Sequence, residues 1–454
     1  MNSKRSSILT FTKSIFFRKN SLGNNFVWTL FGGLYFGACQ WAIISIIAKL
    51  SDTSTVGIYA LGLAVNAPIF LLTDLNLRTY QASDTSNAYS FGDYLGLRMI
   101  TSVLAVIIVY LTAYIGNYRT EAILIIMAVA VYKSVESFGD IIYGLLQQQE
   151  RMEWISKSLI IKGTISVITI GAIYFITGNL LLAILMMSFS SALIVVFYDR
   201  RRAKDMLRHI YSERKTTDIS LSDFVYKEIT PRFRLDILRR ITWVVLPMGI
   251  SAYLLSLSNN IPNYVIERIL GESSLGIFAA IAYLSIVGLR IENSIIRVII
   301  PRMSKYNAAA KFVDFRKLFY KVILLNLCIG ITGILVSVVF GKPILKLLYT
   351  QEYAQYTNVL IMIMISVALK CINAPLLSNL IVTRKLKTIM LLDIIYLTST
   401  FAVCIIFIPG MQLTGAGIAV VISSLVRLIS YSIANILCVF KNDIIIGDIV
   451  GMKE

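Results

Sequence analysis

Two stretches of the sequence, far apart in the chain, set the expected fold. Residues 52–78 read DTSTVGIYALGLAVNAPIFLLTDLNLR, and residues 271–297 read GESSLGIFAAIAYLSIVGLRIENSIIR. They align without a gap, and the alignment pairs Gly57 with Gly276. Each stretch carries a run of about 20 mostly apolar residues, which is the length of helix that crosses the ~30 Å hydrocarbon core of a bilayer. The sequence therefore predicts a membrane-spanning helix that occurs once in each half of the chain.

The rest of the chain is built from similar apolar blocks. Of its 454 residues, 57% are hydrophobic and only 15% are charged, and the mean hydropathy is +0.75. Only helices and closed barrels satisfy their backbone hydrogen bonds in lipid, and continuous blocks of this length indicate helices. We therefore expect an all-α polytopic membrane protein with twelve transmembrane helices. The predicted spans cover residues 26–48, 56–76, 95–115, 121–146, 159–176, 179–198, 242–262, 274–298, 318–340, 357–382, 388–409 and 414–440.

The longest polar stretch, residues 199–241, divides the predicted spans into two sets of six. It begins DRRRAKDMLRHIYSERK and is a basic, amphipathic connector that either sets the topology or lies on an anionic membrane surface. We expect an N-terminal six-helix lobe over 1–198 and a C-terminal six-helix lobe over 242–454. Because the repeated span has the same orientation in both halves, the lobes form a parallel, pseudo-symmetric repeat. This arrangement is typical of transporters whose substrate site lies between the halves near mid-membrane.

The distribution of lysine and arginine predicts the orientation of the chain in the membrane. If the N-terminus lies inside, most of the 43 basic residues fall on the inner side. The outer loops then hold only Lys49, Arg119, Arg268, Lys342 and Lys346. Such an excess is a property of cytoplasmic loops. Both termini are therefore expected to be cytoplasmic, and the bias accounts for the net charge of +18 without a nucleic-acid partner.

Charged residues in the eighth predicted span point to a binding function. Arg290 and Arg297 are seven residues apart and lie on nearly the same helical face, whereas Glu292 points the other way. Arg297 lies near the inner surface, where it either snorkels to the headgroups or takes part in binding. Arg290 lies about two turns deeper, where a charge is costly and normally faces a wet cavity or a partner. It either pairs with a carboxylate on a neighbouring helix or serves function, and we favour function.

Two further spans carry charge near mid-membrane. In the fourth span, Lys133, Glu136 and Asp140 lie on one side of the helix, where Lys133 and Glu136 either pair with each other or line a hydrated wall. In the tenth span, Lys370 has no acidic residue near it in sequence and is expected to attract an anion. The deep charges are mostly cationic, so a shared cavity would suit a phosphate or diphosphate, which arginine binds through two parallel hydrogen bonds.

The carboxylates Glu136, Asp140 and Glu292 are the candidate proton or sodium sites if transport is coupled to an ion. The sequence contains no GxxxxGK[ST] loop for a nucleotide and no Cys/His cluster for a metal, so no cofactor is expected. The five cysteines all fall in apolar spans, where we expect them to be buried. Four other charges near the inner ends of their spans are expected at the headgroup level: Arg98, Lys162, Asp74 and Asp393.

Several stretches, in order along most of the chain, resemble a known family. They read NLRTYQASDTSNAYSFGDYLGLR (76–98), QQQERMEWISKSLIIKG (147–163), NNIPNYVIERILGESSLGIFAAIAYL (259–284), VIIPRMSKY (298–306) and YTQEYAQYTNVLIMIMIS (349–366). Together they resemble the bacterial O-antigen and capsule repeat-unit flippases of the multidrug/oligosaccharidyl-lipid/polysaccharide exporter superfamily. The resemblance implies a V-shaped exporter fold in which spans one, two, seven and eight line a central cavity. It also places Arg78 with Arg290 and Arg297 at a diphosphate.

The resemblance further implies a function. Such proteins use alternating access to move undecaprenyl-diphosphate-linked oligosaccharides from the inner to the outer leaflet of the bacterial inner membrane. They serve the biosynthesis of surface polysaccharides, such as the O-antigen of lipopolysaccharide or capsule, together with a polysaccharide polymerase and glycosyltransferases. Four side chains are either sugar contacts in such a cavity or packing residues: Trp28, Gln40, Asn66 and Tyr283.

Two other classes of protein are alternatives to the flippase. A drug or cation antiporter of the same superfamily would carry a lone acidic residue in a mostly neutral cavity, which the cationic bias argues against. A membrane-bound polysaccharide polymerase would need a sizeable extramembrane catalytic region, but no predicted outer loop exceeds about 20 residues. The sequence therefore favours a transporter over an enzyme.

Overall fold

The computed structural model describes residues 22–84, 88–214, 220–309 and 311–437. Within these residues every regular element is helical, and ten helices are long and apolar enough to cross a membrane. The predicted fold class, an all-α polytopic membrane protein, is confirmed.

The helices up to the connector follow one another with short links. They are α1 (Leu22–Leu50), α2 (Thr53–Asp74), α3 (Leu77–Ser83), α4 (Phe91–Ile115), α5 (Thr120–Gln148), α6 (Met152–Thr177) and α7 (Leu180–Ile194). A π-helical turn, Val195–Asp199, continues α7 into the connector. The connector itself forms α8 (Arg200–Arg214) and α9 (Leu221–Ile229). The second half consists of α10 (Leu235–Leu270), α11 (Glu272–Tyr283), α12 (Ser285–Ala308), α13 (Phe312–Leu348), α14 (Thr357–Val382) and α15 (Leu386–Asn435).

The ten apolar helices differ from the twelve predicted spans at two places. The eighth predicted span is divided at Leu284 into α11, which is short, and α12, which is rich in charge. The last two predicted spans form the single run α15, whose backbone breaks from helical geometry at Gln412, with φ 51° and ψ −133°. Neither half of the divided span is long and apolar enough to count alone, so the number of crossings stays a prediction.

The end of α2 decides where Arg78 lies. Asp52 caps the start of the helix, because its carboxylate accepts a hydrogen bond from the backbone amide of Thr55 at 3.0 Å. Leu75 and Asn76 then take left-handed φ values of 52° and 53°, which stops the helix. The chain turns and restarts as α3, so Arg78 lies on a separate short helix that packs against α5.

The two halves meet through α2, which packs against α10 and α11, and through α1, which approaches α12. The glycines paired by the sequence repeat lie at this contact. A Cβ atom on Gly57 would overlap the carbonyl oxygen of Glu272, and one on Gly276 would overlap the carbonyl oxygen of Thr53. The aligned stretches therefore cross backbone to backbone, at positions where only a hydrogen fits.

The connector packs against the first half of the chain. Met206 and Leu207 of α8 and Val225 of α9 share a buried apolar cluster with Leu145 of α5. The chain then enters α10 past Arg234, whose guanidinium binds the carboxylate of Asp93 at 2.6 Å. The division into two lobes joined by a connector stays a prediction. The packing covers most of the apolar face of α9, but Leu221 at its start remains exposed.

The four charges expected at headgroup level all form ion pairs, and their depth in the membrane stays a prediction. Arg98 is fully buried and binds Asp74, and Lys162 lies 2.7 Å from the carboxylate of Asp199. Asp393 lies 3.6 Å from the guanidinium of Arg427. The position of a charge along a predicted span does not reveal a partner on another helix. A charge that has such a partner tolerates burial better than a lone charge does.

The cysteines divide in a similar way. Cys39, Cys371 and Cys404 are buried, as expected, but Cys328 on α13 is exposed and lines an apolar pocket with Gly288 of α12 and Val367 of α14. Cys438 lies outside the described residues. Among the described residues no group of three metal-ligating side chains occurs.

Candidate functional site

The centre of α5 carries a partly exposed ion pair. The ammonium group of Lys133 donates to Glu136 at 2.6 Å, and the two side chains keep 28% and 23% of their exposure. The hydroxyl of the buried Tyr132 donates to the same carboxylate at 3.1 Å, and it accepts a hydrogen bond from the amide of Gln40 at 3.1 Å. Local pairing, which the sequence left open, is therefore present, and the pair stays partly exposed.

Arg290 of α12 approaches this group from the second half. Its Nε would lie 3.6 Å from a Cβ built on Gly37, so the side chain passes close to the bare backbone of α1. The side chain is exposed, and Glu136 acts electrostatically on its guanidinium. Arg290 therefore lies where α1, α5 and α12 come together between the two halves.

Three tyrosines surround Glu136. Tyr132 binds it directly, and Tyr59 of α2 and Tyr283 at the end of α11 both interact with it electrostatically. Neither Tyr59 nor Tyr132 was predicted from the sequence. A buried tyrosine beside an intramembrane charge could have signalled them, since its hydroxyl needs a partner when the ring is buried.

Arg78 forms a second cationic group one turn along α5. Its guanidinium binds Asp140 at 2.9 Å and the side-chain oxygen of Gln147 at 3.0 Å. It also lies over the ring of Tyr143, 5.5 Å from the centroid. Arg78 and Asp140 keep 29% and 35% of their side-chain exposure. We call Glu136, Lys133, Gln40 and the three tyrosines the Glu136 group. This group and the pair of Arg78 with Asp140 form a partly exposed row of paired charges along one side of α5.

Lys370 has a different environment from the cations of the first half. Its ammonium group donates to the amide oxygen of Asn259 on α10 at 3.2 Å, and the hydroxyl of Tyr396 donates to the same oxygen at 3.3 Å. Among the residues that the structure describes, Lys370 makes no ion pair. An amide orients the ammonium group but leaves its charge uncancelled.

Glu292 lies apart from the other candidate ion sites. It is buried, and Arg427 and Cys371 interact with it electrostatically, which places it against the interior of the second half. Glu136 and Asp140 are instead on α5. The structure therefore does not bring the three candidate carboxylates together. The side chain of Arg297 lies outside the described residues.

The four candidate sugar contacts are dispersed. Gln40 and Tyr283 belong to the Glu136 group. Trp28 lies nearer the start of α1, with the ammonium group of Lys157 5.7 Å from its ring centroid. Asn66 is fully buried, and its amide donates to the carbonyls of Gly62 at 2.7 Å and Ile126 at 3.0 Å, so its position favours the packing role.

Hydrogen bonds between the halves gather at the Asp52 end of the bundle. The hydroxyl of Ser54 donates to Glu272 at 3.1 Å. The indole of Trp41 donates to the hydroxyl of Tyr349 at 2.9 Å. Together with the crossing of Gly57 and Gly276, these contacts close the space between the halves at the end that the sequence predicts to be outer.

The arrangement of helices matches that of solved transporters. A structure described as lipid II flippase MurJ, inward closed conformation, gives a TM-score of 0.69 at 11% identity, over 90% of this chain and 87% of that chain. An inward-facing multidrug resistance MATE family transporter of the MOP superfamily gives 0.63 at 14% identity, over 91% and 94%. A MOP superfamily transporter from Pyrococcus furiosus gives 0.60 at 15% identity, over 91% and 95%. These likenesses define the class by fold: a multi-pass membrane protein with the helical architecture of these transporters.

The sequence defines the family within that class. The chain belongs to the family described as polysaccharide biosynthesis protein (Polysacc_synt), which matches residues 22–307. It is 28% identical over 413 residues to the capsular polysaccharide biosynthesis protein CapF of Staphylococcus aureus, covering 90% of this chain and 97% of that protein. The family resemblance drawn from the quoted stretches is confirmed. The matched residues include Gly37, Glu136 and Arg290.

Proposed function

We propose that the protein is a flippase that moves oligosaccharides linked to undecaprenyl diphosphate from the inner to the outer leaflet of the bacterial inner membrane, for surface polysaccharide synthesis. The observation that carries the proposal is the position of Arg290, between the halves and across from the Lys133–Glu136 pair. A guanidinium in a partly wet, intramembrane space is suited to phosphate oxygens, which it binds bidentately. The family and the name of the CapF relative support a polysaccharide cargo.

The paired charges of α5 give the site a way to exchange partners. The diphosphate meets Arg290, Lys370 and, at the inner end, Arg297. Its oxygens then compete with Glu136 for Lys133 and with Asp140 for Arg78. A proton or sodium ion taken up by either carboxylate releases the cation to the diphosphate, which couples ion binding to cargo binding. Glu292, buried in the second half, is a separate candidate ion site.

The sugars and the tail occupy different surroundings. Gln40 and Tyr283 border the Glu136 group and are placed to contact the sugars, with Trp28 nearer the entrance. The polyprenyl tail stays in the bilayer and passes between the halves. In the predicted orientation both termini are cytoplasmic and the closed Asp52 end faces outward, so cargo made by inner-side glycosyltransferases enters from the cytoplasm and leaves toward the polymerase when the halves rock.

One observation favours a second function, a cation or drug antiporter. Lys133 and Arg78 each bind a carboxylate, so the first half contributes little net positive charge to the space between the halves. An organic cation would bind Glu136, which interacts with three tyrosines, in place of Lys133. The two functions differ in the sign of the charge on the cargo. An experiment that offers both kinds of cargo therefore distinguishes them.

Proteoliposomes containing the purified protein test the proposal. A fluorescent isoprenoid-diphosphate disaccharide is added to one leaflet, and its transfer is followed with a membrane-impermeant quencher. Wild type should accelerate transfer, and Arg290→Ala should slow it at least tenfold, the loss expected for a charge-assisted hydrogen bond. Arg316→Ala, an exposed cation on α13, is the matched control. Wild type that exports an organic cation but transfers no glycolipid would overturn the flippase and support the antiporter.

A further inference from the structure

A groove with one basic and one apolar wall lies between the connector helices α8 and α9. Its volume is about 450 Å³. The basic wall comes from α8, where cations recur every four residues: Arg200, Lys204 and Arg208. The apolar wall comes from α9 with the same spacing: Leu221, Val225 and Ile229. Residues four apart share a helical face, so each helix presents one continuous chemical stripe to the groove.

The basic wall carries an excess of positive charge. Among the described residues, neither Arg200 nor Lys204 makes an ion pair, and Arg208 lies 3.6 Å from Asp205. That carboxylate is shared with Arg202, which lies 3.5 Å away on the other side. On the opposite wall, the hydroxyl of Thr230 donates to the carbonyl of Tyr226 at 2.6 Å, and the hydroxyls of Ser222 and Ser220 are hydrogen-bonded at 2.9 Å. The groove therefore presents unneutralised cations and hydrocarbon, which calls for an amphipathic anion.

The groove lies at the level where α4 enters the membrane. The backbone amide of Phe91, the first residue of α4, donates to the carboxylate of Glu228 on α9 at 3.0 Å. Tyr226, which lines the groove, is exposed by 72%, and Phe233, in the link from α9 to α10, by 53%. Exposed aromatic side chains of this kind mark the interface between headgroups and hydrocarbon in membrane proteins. The basic wall is thus at the depth of lipid phosphates.

We propose that this groove is a binding site for an anionic phospholipid of the surrounding bilayer. The lipid phosphate binds Arg200, Lys204 and Arg208, and the upper part of an acyl chain lies against Leu221, the exposed residue of the apolar wall. An anionic lipid is favoured over a zwitterionic one because a choline or ethanolamine group would bring a positive charge to a wall that is already basic. The proposal is independent of the cargo, since the site lies on the connector and not between the halves.

Native mass spectrometry of the full-length protein in neutral detergent tests the site. The probes are phosphatidylglycerol and phosphatidylcholine of the same chain length, added in competition. Wild type should bind phosphatidylglycerol about tenfold more tightly, since the choline group of phosphatidylcholine brings a positive charge to the basic wall. Arg200→Gln/Arg208→Gln, which changes two exposed side chains, should lose that preference. Arg316→Gln/Lys317→Gln removes the same charge from an exposed part of α13 and should keep it.

Two further probes separate the sources of phosphate. Inorganic phosphate and a short isoprenyl diphosphate are each offered as competitors of phosphatidylglycerol. Neither should displace it at equal concentration, because the first lacks a chain and the second lacks the glycerol backbone that spans the two walls. Displacement by either, an unchanged preference in Arg200→Gln/Arg208→Gln, or an equal loss in both double variants would overturn the proposal. Leu221→Ser should weaken both phospholipids equally, which separates the apolar wall from the basic one.

Discussion

The two halves of the molecule hold the cations of the candidate site differently. In the first half, Lys133 and Arg78 each bind a carboxylate, at 2.6 and 2.9 Å. In the second half, Lys370 is held by the amide oxygen of Asn259 at 3.2 Å, which carries no charge. A carboxylate cancels a cation until it is protonated or displaced, whereas an amide only orients it. The second half thus supplies standing positive charge, and the first half supplies charge that an ion or a ligand can release.

Away from the site, each half contains a buried ion pair between two helical segments, and the order of the cation and the acid along the chain is reversed between the halves. In the first half the cation Lys162 is on α6 and the acid Asp199 ends the following helix, 2.7 Å away. In the second half the acid Asp393 comes early in α15 and the cation Arg427 comes late, 3.6 Å away. Each pair ties together the last two predicted spans of its half. Their shared role is structural, which distinguishes them from the exposed pairs of α5.

Breaking one of these buried pairs should produce the largest effect. Lys162→Met leaves the carboxylate of Asp199 buried without its cation, at an expected cost of about 3–5 kcal/mol. Arg427→Met should cost less, because its pair is longer. Thermal unfolding in detergent measures both, with Lys157→Met, an exposed lysine on the same helix as Lys162, as the control. Equal thermal unfolding midpoints for Lys162→Met and Lys157→Met would show that the pair does not stabilise the fold.

The glycine crossing tests whether the repeat contact is as tight as its symmetry suggests. Gly57→Ala and Gly276→Ala each place a methyl group against a backbone carbonyl, which cannot rotate away. Both should destabilise the protein by roughly 1–3 kcal/mol, as overpacking does. Gly33→Ala, whose Cβ would meet nothing within 4 Å, should instead stabilise α1 slightly. A lower unfolding midpoint in only one of the two crossing variants would show that the halves do not share the contact equally.

Lys370, whose charge is not cancelled by an acid, and Lys133, whose charge is cancelled by Glu136, should contribute unequally to ligand binding. Lys370→Ala should weaken the binding of farnesyl diphosphate about tenfold, because it removes an uncancelled charge. Lys133→Ala/Glu136→Ala removes a pair without changing the net charge, and it should weaken binding by less than about threefold. Titration of the purified protein at constant salt measures both dissociation constants. Equal losses in the two variants would mean that the pair of α5 contributes standing charge as well.

Some of this arrangement could be predicted from the sequence, and the limit is set by distance along the chain. The apolar blocks specified helices, since only a helix satisfies such a backbone in lipid, and the spacing of Lys133 and Glu136 already allowed their pairing within one helix. The partner of Lys162 was not predictable, because Asp199 follows on another helix and the match depends on how the two pack. The position of Arg78 likewise depends on the left-handed turn at Leu75 and Asn76, which no sequence motif predicts.

The helix starts that the repeat aligns, Asp52 and Gly271, allow the smallest test. Asp52 caps α2 through Thr55, whereas Gly271 precedes α11 with φ 85° and no side-chain cap. Asp52→Ala should cost about 1 kcal/mol of stability, and Asp52→Asn only a fraction of that, because asparagine is also a good cap. Gly271→Ala should destabilise through backbone strain, since an alanine rarely adopts that φ.

The pH dependence of stability also distinguishes the start of α2 from the start of α11. Hydrogen bonds from the hydroxyl and the backbone amide of Thr55 hold the pKa of Asp52 below its ordinary value. A lowered folded-state pKa means that the ionised cap adds its full stability above the unfolded-state pKa of about 3.9, and that this stability is lost as pH falls through the folded value. The difference in unfolding midpoint between wild type and Asp52→Ala should therefore be complete at neutral pH and shrink in acid. The cost of Gly271→Ala is steric and should not change with pH, so parallel curves for the two variants would show that α2 and α11 start by the same means.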